Sequence, residues 1–432
     1  MTIFRISLAA TTALTLSMSG AMADGNEAYL QQLGSNHSAL IDQTGGSNND
    51  AGRSDGVVTQ RGQFTALGNT ISIVQSGDAN AIGTGTIVNR GTGVFQFNQS
   101  GPGSTATVTQ DSTGAASGNE IGTLNQVART SSASGNTATI SQTGGGNEIT
   151  SVSQDRSGST DGTTAGRTGQ VADVSQTGNN NLIATVRQGT QFDGSAGNTL
   201  SISITGDDNG RGALTGLAVV GAATSSAIQS GTENELQFTI AGGNSNEFGF
   251  NQSGALNDAL SIVISGNSNQ LGVNQVGNSN VVTVAAISGN DNVVGLSQAG
   301  NTNTAAATIL NDGNNNAFGI SQIGDLNDAG VTIDGDDNGA TSGGLFGVAA
   351  GVGGVNGLVA QWGNDNTATL SITGNDNAFA LEQGSATTLG NLNTITGTVG
   401  GNGNAVAVAQ LGNSNMAVFT QTGNANSAGI TQ

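Results

Sequence analysis

The sequence predicts an all-β fold, namely a β-solenoid of stacked two-strand rungs with amyloid-like cross-β stacking. Three observations carry this prediction: a recurring Q-x-G-x-x-N motif, strict alternation of apolar and polar residues between its copies, and an unusual composition. The 432 residues include 71 glycines, only 9% are charged and 3% are aromatic, whereas an ordinary domain is about 25% charged. Such a chain has little material for one large core, and its regular period favours a repeat fold over disorder.

The repeat is clearest in the centre of the chain. Between the complete motifs lie Gly-x-x-Asn units without the glutamine, for example Gly266/Asn269. The glutamines step by 23, 23 and 24 residues, so one period contains two half-repeats. The complete central copies are Gln252/Gly254/Asn257, Gln275/Gly277/Asn280, Gln298/Gly300/Asn303 and Gln322/Gly324/Asn327.

Each half-repeat alternates with a period of two. Asn316, Phe318, Ile320 and Gln322 share one parity, and small or polar residues occupy the other. This period over seven residues predicts a strand with one buried face. No helix is predicted after the first 23 residues.

The five residues from Gln to the next Asn predict a tight turn. Glycine supplies a positive φ, and asparagine tolerates the left-handed region or closes an Asx turn. Rungs stacked about 4.8 Å apart would bury the apolar stripe and align the amides as ladders. Besides the central copies, the predicted ladder and turn residues are Gln32, Gly34, Gln43, Gln410, Gly412, Asn415, Gln421, Gly423, Asn426 and Gln432.

Residues 1–23 have the pattern of a secretory signal peptide. Arg5 provides the positive charge, an apolar stretch follows, and small residues precede a predicted cleavage between Ala23 and Asp24. Residues 24–432 form the predicted solenoid. They contain no run of about 18 apolar residues, so no membrane-spanning helix is expected. The chain has no cysteine, so a secreted protein would depend on backbone pairing and stacking for stability.

Four stretches interrupt the repeat, at residues 83–98, 155–170, 210–228 and 339–357. The last two both follow the sequence G-D-D-N and are rich in Gly, Ala, Val and Leu, which indicates duplication of a block of repeats. Looped-out coil is one interpretation; an apolar docking surface or an extra strand is the other.

The composition points away from catalysis. With one histidine and no cysteine, the chain offers no acid–base or nucleophile set, so an enzyme, a cofactor and a metal centre are not expected. The formal charge of −20 without a basic patch argues against nucleic-acid binding. His37 is interpreted as a substituted turn residue, the alternative being a ligand or base. Turns containing Asp291, Asp365 and Asp376 are interpreted as solvated Asx turns, weak calcium bridging being the alternative.

A longer form of the motif, Q-x-G-x-x-N-x-A-x-x-x-Q, spans Gln32–Gln43 (with His37 at the Asn position), Gln410–Gln421 and Gln421–Gln432. This pattern resembles the curlin repeat of curli, the extracellular amyloid fibres of bacterial biofilms. The resemblance implies a structural subunit that is secreted through the periplasm to the cell surface. It also implies end-to-end self-assembly for adhesion and biofilm matrix, with a nucleator subunit and a curli-type secretion channel as partners.

The final copy ends on Gln432, so the expectation is an uncapped rung whose open edge templates the next subunit. Two alternatives remain at this point: a monomeric secreted β-solenoid adhesin, and the minor nucleator subunit of such fibres. Ice binding is disfavoured because Thr-x-Thr pairs such as Thr105-Ala-Thr107 are sporadic.

Overall fold

The structure is a computed structural model. It describes residues 25–33, 36–44, 46–52, 58–61, 68–83, 97–101, 103–128, 135–156, 169–189 and 197–432, together with the backbone of four short strands nearer the N-terminus and around residue 90. The predicted cleavage site at Ala23 and Asp24, the turn residue Gly34 and most of the stretches 83–98 and 155–170 lie outside the described residues.

The chain divides into two compact units. Unit 1 comprises residues 1–211 and 225–234, and unit 2 comprises residues 212–224 and 235–432. The strands of unit 1 are β1 (Phe4–Ala9), β2 (Ala13–Leu14), β3 (Glu27–Leu33), β4 (Ser38–Thr44), β5 (Asp50–Ala51), β6 (Val58–Arg61), β7 (Thr70–Ser76), β8 (Ala81–Ile82), β9 (Val88–Asn89), β10 (Val94–Phe95), β11 (Phe97–Ser100), β12 (Thr105–Asp111), β13 (Glu120–Ala128), β14 (Thr137–Thr143), β15 (Glu148–Arg156), β16 (Val171–Thr177), β17 (Leu182–Gln188), β18 (Thr199–Thr205) and β19 (Ser226–Thr232).

Unit 2 contains sixteen described strands and two short helical turns. These are a 3₁₀ turn at Gly216–Ala218 and the six-residue helix α1 (Gly347–Val352). The strands are β20 (Glu235–Ala241), β21 (Glu247–Ala255), β22 (Asp258–Ser265), β23 (Gln270–Asn278), β24 (Val281–Ser288), β25 (Val293–Ala299), β26 (Thr304–Leu310), β27 (Ala317–Ile323), β28 (Asp328–Asp334), β29 (Leu358–Trp362), β30 (Thr367–Thr373), β31 (Ala378–Gln383), β32 (Thr394–Gly400), β33 (Ala405–Gln410), β34 (Met416–Thr422) and β35 (Ser427–Thr431).

Each unit contains two parallel sheets, and successive half-repeats alternate between them. In unit 2, sheet A consists of the odd-numbered strands β21 to β35 and sheet B of the even-numbered strands β20 to β34. In unit 1, sheet A contains β1, β3, β5, β6, β8, β11, β13, β15, β17 and β19, and sheet B contains β2, β4, β7, β12, β14, β16 and β18. The predicted all-β solenoid of two-strand rungs is therefore confirmed.

Stacking places equivalent residues of the repeat on one another. Gln252 and Gly254 of β21 are in register with Gln275 and Gly277 of β23. The apolar residues of alternate positions are buried, among them Phe248, Phe250 and Ile264. The core of each unit is thus a thin column of aliphatic and aromatic side chains between two sheets, as expected for a solenoid.

Two interruptions of the repeat, 83–98 and 339–357, lie between segments that share one rung position of sheet A. Ala81–Ile82 and Phe97–Ser100 both pair with β13. The two segments therefore occupy the same rung of sheet A, and most of the predicted interruption 83–98 lies between them. Residues 340–356 behave in the same way, because Gly339 pairs with Ala317 and Leu358 with Gly319.

The central parts of the interruptions 210–228 and 339–357 are residues 212–224 (loop 1) and 340–356 (loop 2). Each folds back against the outer face of sheet A, and each contains one of the helical turns. The prediction of no helix was wrong here. Apolar segments of this length gain more by packing Ala218 and Ala349 against the sheet than by extending into solvent.

Candidate functional site

Stacked glutamines run along sheet A of unit 2. Each Nε2 donates to the Oε1 of the glutamine in the next rung, over distances from 2.7 to 3.0 Å. The members are Gln252, Gln275, Gln298, Gln322, Gln361, Gln383, Gln410 and Gln432. We call this set the Gln column.

Each glutamine in the column also donates to a backbone carbonyl of sheet B, and Gln252 and Gln275 hold the turn that follows them as well. The Nε2 of Gln275 donates to the carbonyl oxygens of Asp258 and Asn280, each at 2.9 Å. The amide thus gives buried backbone carbonyls a further donor, besides the Asp258 N–H that Asn280 already accepts from at 2.8 Å. This explains why an amide, rather than an aliphatic side chain, ends the buried stripe.

Two columns of asparagines line the two turns of each rung. Asn280 donates from its backbone N–H and from Nδ2 to the Oδ1 of Asn257, at 3.1 and 3.0 Å. Its Nδ2 also donates to the carbonyl of Gly300 in the next rung at 2.8 Å. The column that contains these residues is Asn257, Asn280, Asn303, Asn327, Asn366, Asn393 and Asn415, and the column at the other turn runs from Asn246 to Asn426.

The conformation of the turn differs from the prediction in one respect. The glycines do have positive φ, +124° at Gly254 and +118° at Gly277. The left-handed residue, however, is the one before the asparagine, such as Ser279 or Leu326, and not the asparagine itself. The asparagine turns inward to its column, so its side chain bonds between rungs, and some, such as Asn426, also donate to the carbonyl four residues earlier in their own turn.

Close stacking of the turns explains the glycines independently of φ. A Cβ on Gly254 would lie 1.8 Å from the carbonyl oxygen of Gly277, and one on Gly277 would lie 1.9 Å from that of Gly300. Gly300 and Gly324 have the same arrangement. Gly412 is an exception, since its φ lies outside the left-handed region and its nearest neighbour is the Nδ2 of Asn415.

Unit 1 carries a glutamine column in both sheets. In sheet A, Gln32 donates to Gln60 at 2.7 Å; in sheet B, Gln43 donates to Gln75 at 2.9 Å. The sheet B positions that carry glutamine in unit 1 are occupied in unit 2 by aliphatic residues such as Ile264 and Ile333. Gln421 of β34, in register with Val399, brings glutamine back to this position.

His37 occupies an asparagine position in unit 1. Its Nδ1 accepts from the backbone N–H of Asn69 at 3.1 Å, as the Oδ1 of a column asparagine does. Burial lowers the pKa of the imidazole, an effect that a backbone hydrogen bond to Leu33 partly opposes. The neutral ring therefore substitutes for an amide in the column.

Three aspartates occupy equivalent positions in the turns. Asp291, Asp365 and Asp376 each occupy the left-handed position before an asparagine. In the part of the chain that the structure describes, no three His, Asp or Glu side chains form a group suited to a metal ion. Among the same residues, no helix has the length and hydropathy needed to cross a bilayer.

The outermost rung of unit 2, formed by β34 and β35, leaves two ladder atoms without a partner. Within the described residues, both atoms are buried: the Nδ2 of Asn415 donates no hydrogen bond, and the Oε1 of Gln421 accepts none. The equivalent Nδ2 of Asn393 donates to Gly412 in the next rung at 2.8 Å. Met416 and Val418 of β34 are 66% and 62% exposed. The Oε1 of Gln421 faces Val399 of the inner rung, whereas the Nδ2 of Asn415 is a donor that another rung would satisfy.

The sequence analysis did not predict a further column, which consists of glycines on the outer face of sheet A. Gly249, Gly272, Gly295 and Gly319 stand three residues before the column glutamines, beneath loop 1. A Cβ would lie 2.0 Å from the Ala218 carbonyl oxygen at Gly272, and 1.7 Å from that of Leu217 at Gly295. The signal was the recurrence of glycine at one strand position in four successive copies.

Comparison with known proteins gives one family match. A family model described as the curlin associated repeat matches residues 401–432. No curated protein matches the chain. The matched segment contains Gln410, Asn415, Gln421, Asn426 and Gln432, and thus the outermost rung of unit 2. The resemblance to the curlin repeat is therefore confirmed in this segment, and the chain carries a curlin associated repeat at residues 401–432.

Proposed function

We propose that the chain is a non-catalytic structural subunit of extracellular curli-like amyloid fibres. Subunits stack end to end through open solenoid edges, and the fibre serves cell adhesion and the biofilm matrix. The curlin associated repeat at residues 401–432 supports this proposal. The partner is a second copy of the same chain, with a nucleator subunit and a curli-type secretion channel acting before growth.

The observation that carries the proposal is the buried, unpartnered Nδ2 of Asn415. Leaving a buried amide donor unpaired costs about 1–3 kcal/mol. Every step of the same column inward places a glycine carbonyl or an asparagine Oδ1 beside the amide, as at Asn393 and Asn366. A stacked copy would supply the missing acceptor.

Edge pairing provides the mechanism of growth. Among the described strands, β34 pairs only with β32 and β35 only with β33, so each has one free edge of N–H and C=O groups. Such an edge is a template for a further strand. Because equivalent residues lie in register from rung to rung, an added rung extends the Gln and Asn columns without a change of geometry.

The test is growth from a blocked edge. The chain from Asp24 onward is purified with and without a Pro- and Lys-rich segment appended after Gln432, and fibre formation is followed by thioflavin fluorescence and electron microscopy. We expect fibres from the unmodified chain and slow or no growth from the capped chain. Equal growth of both would show that this edge is not the assembly surface. An unmodified chain that stays monomeric for days would contradict the proposed function itself.

A further inference from the structure

The two loops contain the same short backbone motif. Gly216 and Gly347 have φ of +53° and +55°. The residues before them, Thr215 and Phe346, are extended, with φ, ψ of −130°, 167° and −135°, 172°. Two residues after each glycine position lies a completely buried alanine, Ala218 or Ala349. Leu217 of loop 1 and Val348 of loop 2 are therefore structurally equivalent.

Leu217 crosses one strand and packs on the next. Its carbonyl oxygen lies over Gly295 of β25, where a Cβ would approach it to 1.7 Å. Its Cβ lies 3.7 Å from the Cβ position of Gly319 in β27. Loop 1 thus fastens two consecutive rungs of sheet A to each other from the outside.

Val348 makes the first of these contacts but not the second. Its carbonyl oxygen lies 2.7 Å from the Cβ position of Gly429 in β35, so β35 takes the place that β25 has under loop 1. Ser427, also in β35, anchors the loop: its Oγ accepts from Ala349 N at 3.0 Å and donates to the Phe346 carbonyl at 2.6 Å. Leu217 packs on β27, but no described strand lies at the equivalent position beneath Val348. Val348 is therefore 60% exposed.

We propose that loop 2 bridges the junction between stacked subunits, with Val348 packing on the outer face of the first sheet A strand of a second copy. The contact would repeat, between two chains, the contact of Leu217 with Gly319 within one chain. The surface is continuous with the free edge of β35, so a strand that pairs with β35 passes directly beneath Val348. This inference rests on the proposed function, because it assigns a contact in the interface through which subunits stack.

At the junction, loop 2 would contribute side-chain packing, and the strand edges would contribute backbone hydrogen bonds. Phe346 is also exposed beside Val348 and Leu345 is half-buried against the alanines of β31 and β33. Burying an aliphatic side chain is favourable in proportion to the apolar area that it removes from water. The bridge therefore adds burial of a side chain to the backbone pairing at the junction.

The chain provides a matched control for the test. Val219 of loop 1 is a valine of the same exposure, 61%, next to the equivalent turn, but it does not face the β35 edge. Seeded elongation rates are measured for the wild type, Val348→Asp, Val219→Asp and Val348→Leu, after far-UV circular dichroism has shown the same β content. Aspartate at the junction would bury an unpaired charge, so we expect elongation of the Val348→Asp variant to be at least about tenfold slower. We expect the Val219→Asp and Val348→Leu variants to elongate within about twofold of the wild type.

Wild-type elongation of folded Val348→Asp protein would overturn the bridge and leave the proposed function intact. If that variant loses β content, Val348→Ala replaces it, and wild-type elongation of the alanine variant has the same meaning. A wild-type chain that forms no fibres from any seed would overturn both proposals.

Discussion

Gln252 donates from Nε2 to the Oε1 of Gln275 at 2.9 Å, and both side chains are completely buried between the sheets of unit 2. The same bond recurs from rung to rung as far as Gln432. Because each amide is both donor and acceptor to its neighbours, the column is satisfied only while rungs are stacked on both sides. The buried side chains of the core, and not only the surface groups, therefore require stacked rungs.

The first prediction concerns this column. Gln275→Ala removes two backbone-holding bonds and leaves the Oε1 of Gln298 without its donor. We expect a loss of about 2–4 kcal/mol in the free energy of unfolding. Asn274→Ala is the control, since Asn274 accepts from Asn251 in a similar but outward-facing ladder; its loss should stay below about 1 kcal/mol. Denaturant unfolding measures both, and equal losses would contradict a special role for the buried column.

The second prediction concerns the glycine column under loop 1. At Gly295 a methyl group would collide with the Leu217 carbonyl, so Gly295→Ala should displace loop 1, destabilise unit 2 by about 1–3 kcal/mol and speed proteolysis within residues 212–224. Gly330→Ala in β28 is the control, because no atom lies within 4 Å of its Cβ position. Limited proteolysis with mass spectrometry would locate the cuts. Identical digestion of the two variants would show that loop 1 does not depend on the column.

The third prediction concerns pH. Glu247 is 6% exposed beneath loop 1, its Oε2 has no partner, and burial raises its pKa from 4.5 to about 7 against a weaker opposing effect of the Gly212 N–H. Because the folded chain holds this proton more tightly than the unfolded chain, stability from this group is complete below pH 4.5. It is lost as the pH rises through 7.

Glu247→Gln keeps an acceptor for Gly212 and removes the charge. We expect the variant to unfold at a higher temperature than the wild type at pH 8 and at a similar temperature at pH 4. A constant difference between wild type and Glu247→Gln across this range would exclude titration of Glu247 as the cause.

The fold of the repeat could be predicted from the sequence because each residue of the motif has one structural role. In Gln275-x-Gly277-x-x-Asn280, the glutamine and the asparagine form columns and the glycine allows the close approach of Gly300. A spacing of 23 residues is then enough to predict two strands per rung. The left-handed conformation was assigned to the wrong residue, since sequence alone does not show that Asn280 is turned inward and that Ser279 takes the positive φ.

The loops could not be predicted in the same way. Within Val293-Val294-Gly-Leu296, Gly295 is a residue of low strand propensity. The reason for a glycine there is the close approach of the Leu217 carbonyl, and Leu217 lies 78 residues earlier in the chain. Likewise, the helical turn at Gly347–Val352 has no helical periodicity, and forms because Ala349 packs on the alanines of β31 and β33. Such contacts are set by tertiary packing rather than by local pattern.

The central claim is that copies of this chain continue the stacking of the Gln and Asn columns from one subunit to the next. X-ray diffraction from aligned fibres of the chain from Asp24 to Gln432 tests it most directly. We expect a sharp 4.7–4.8 Å reflection along the fibre axis, because rungs then stack at strand spacing along that axis. Fibres whose 4.7–4.8 Å reflection lies across the axis, or a chain that forms no fibres, would contradict it.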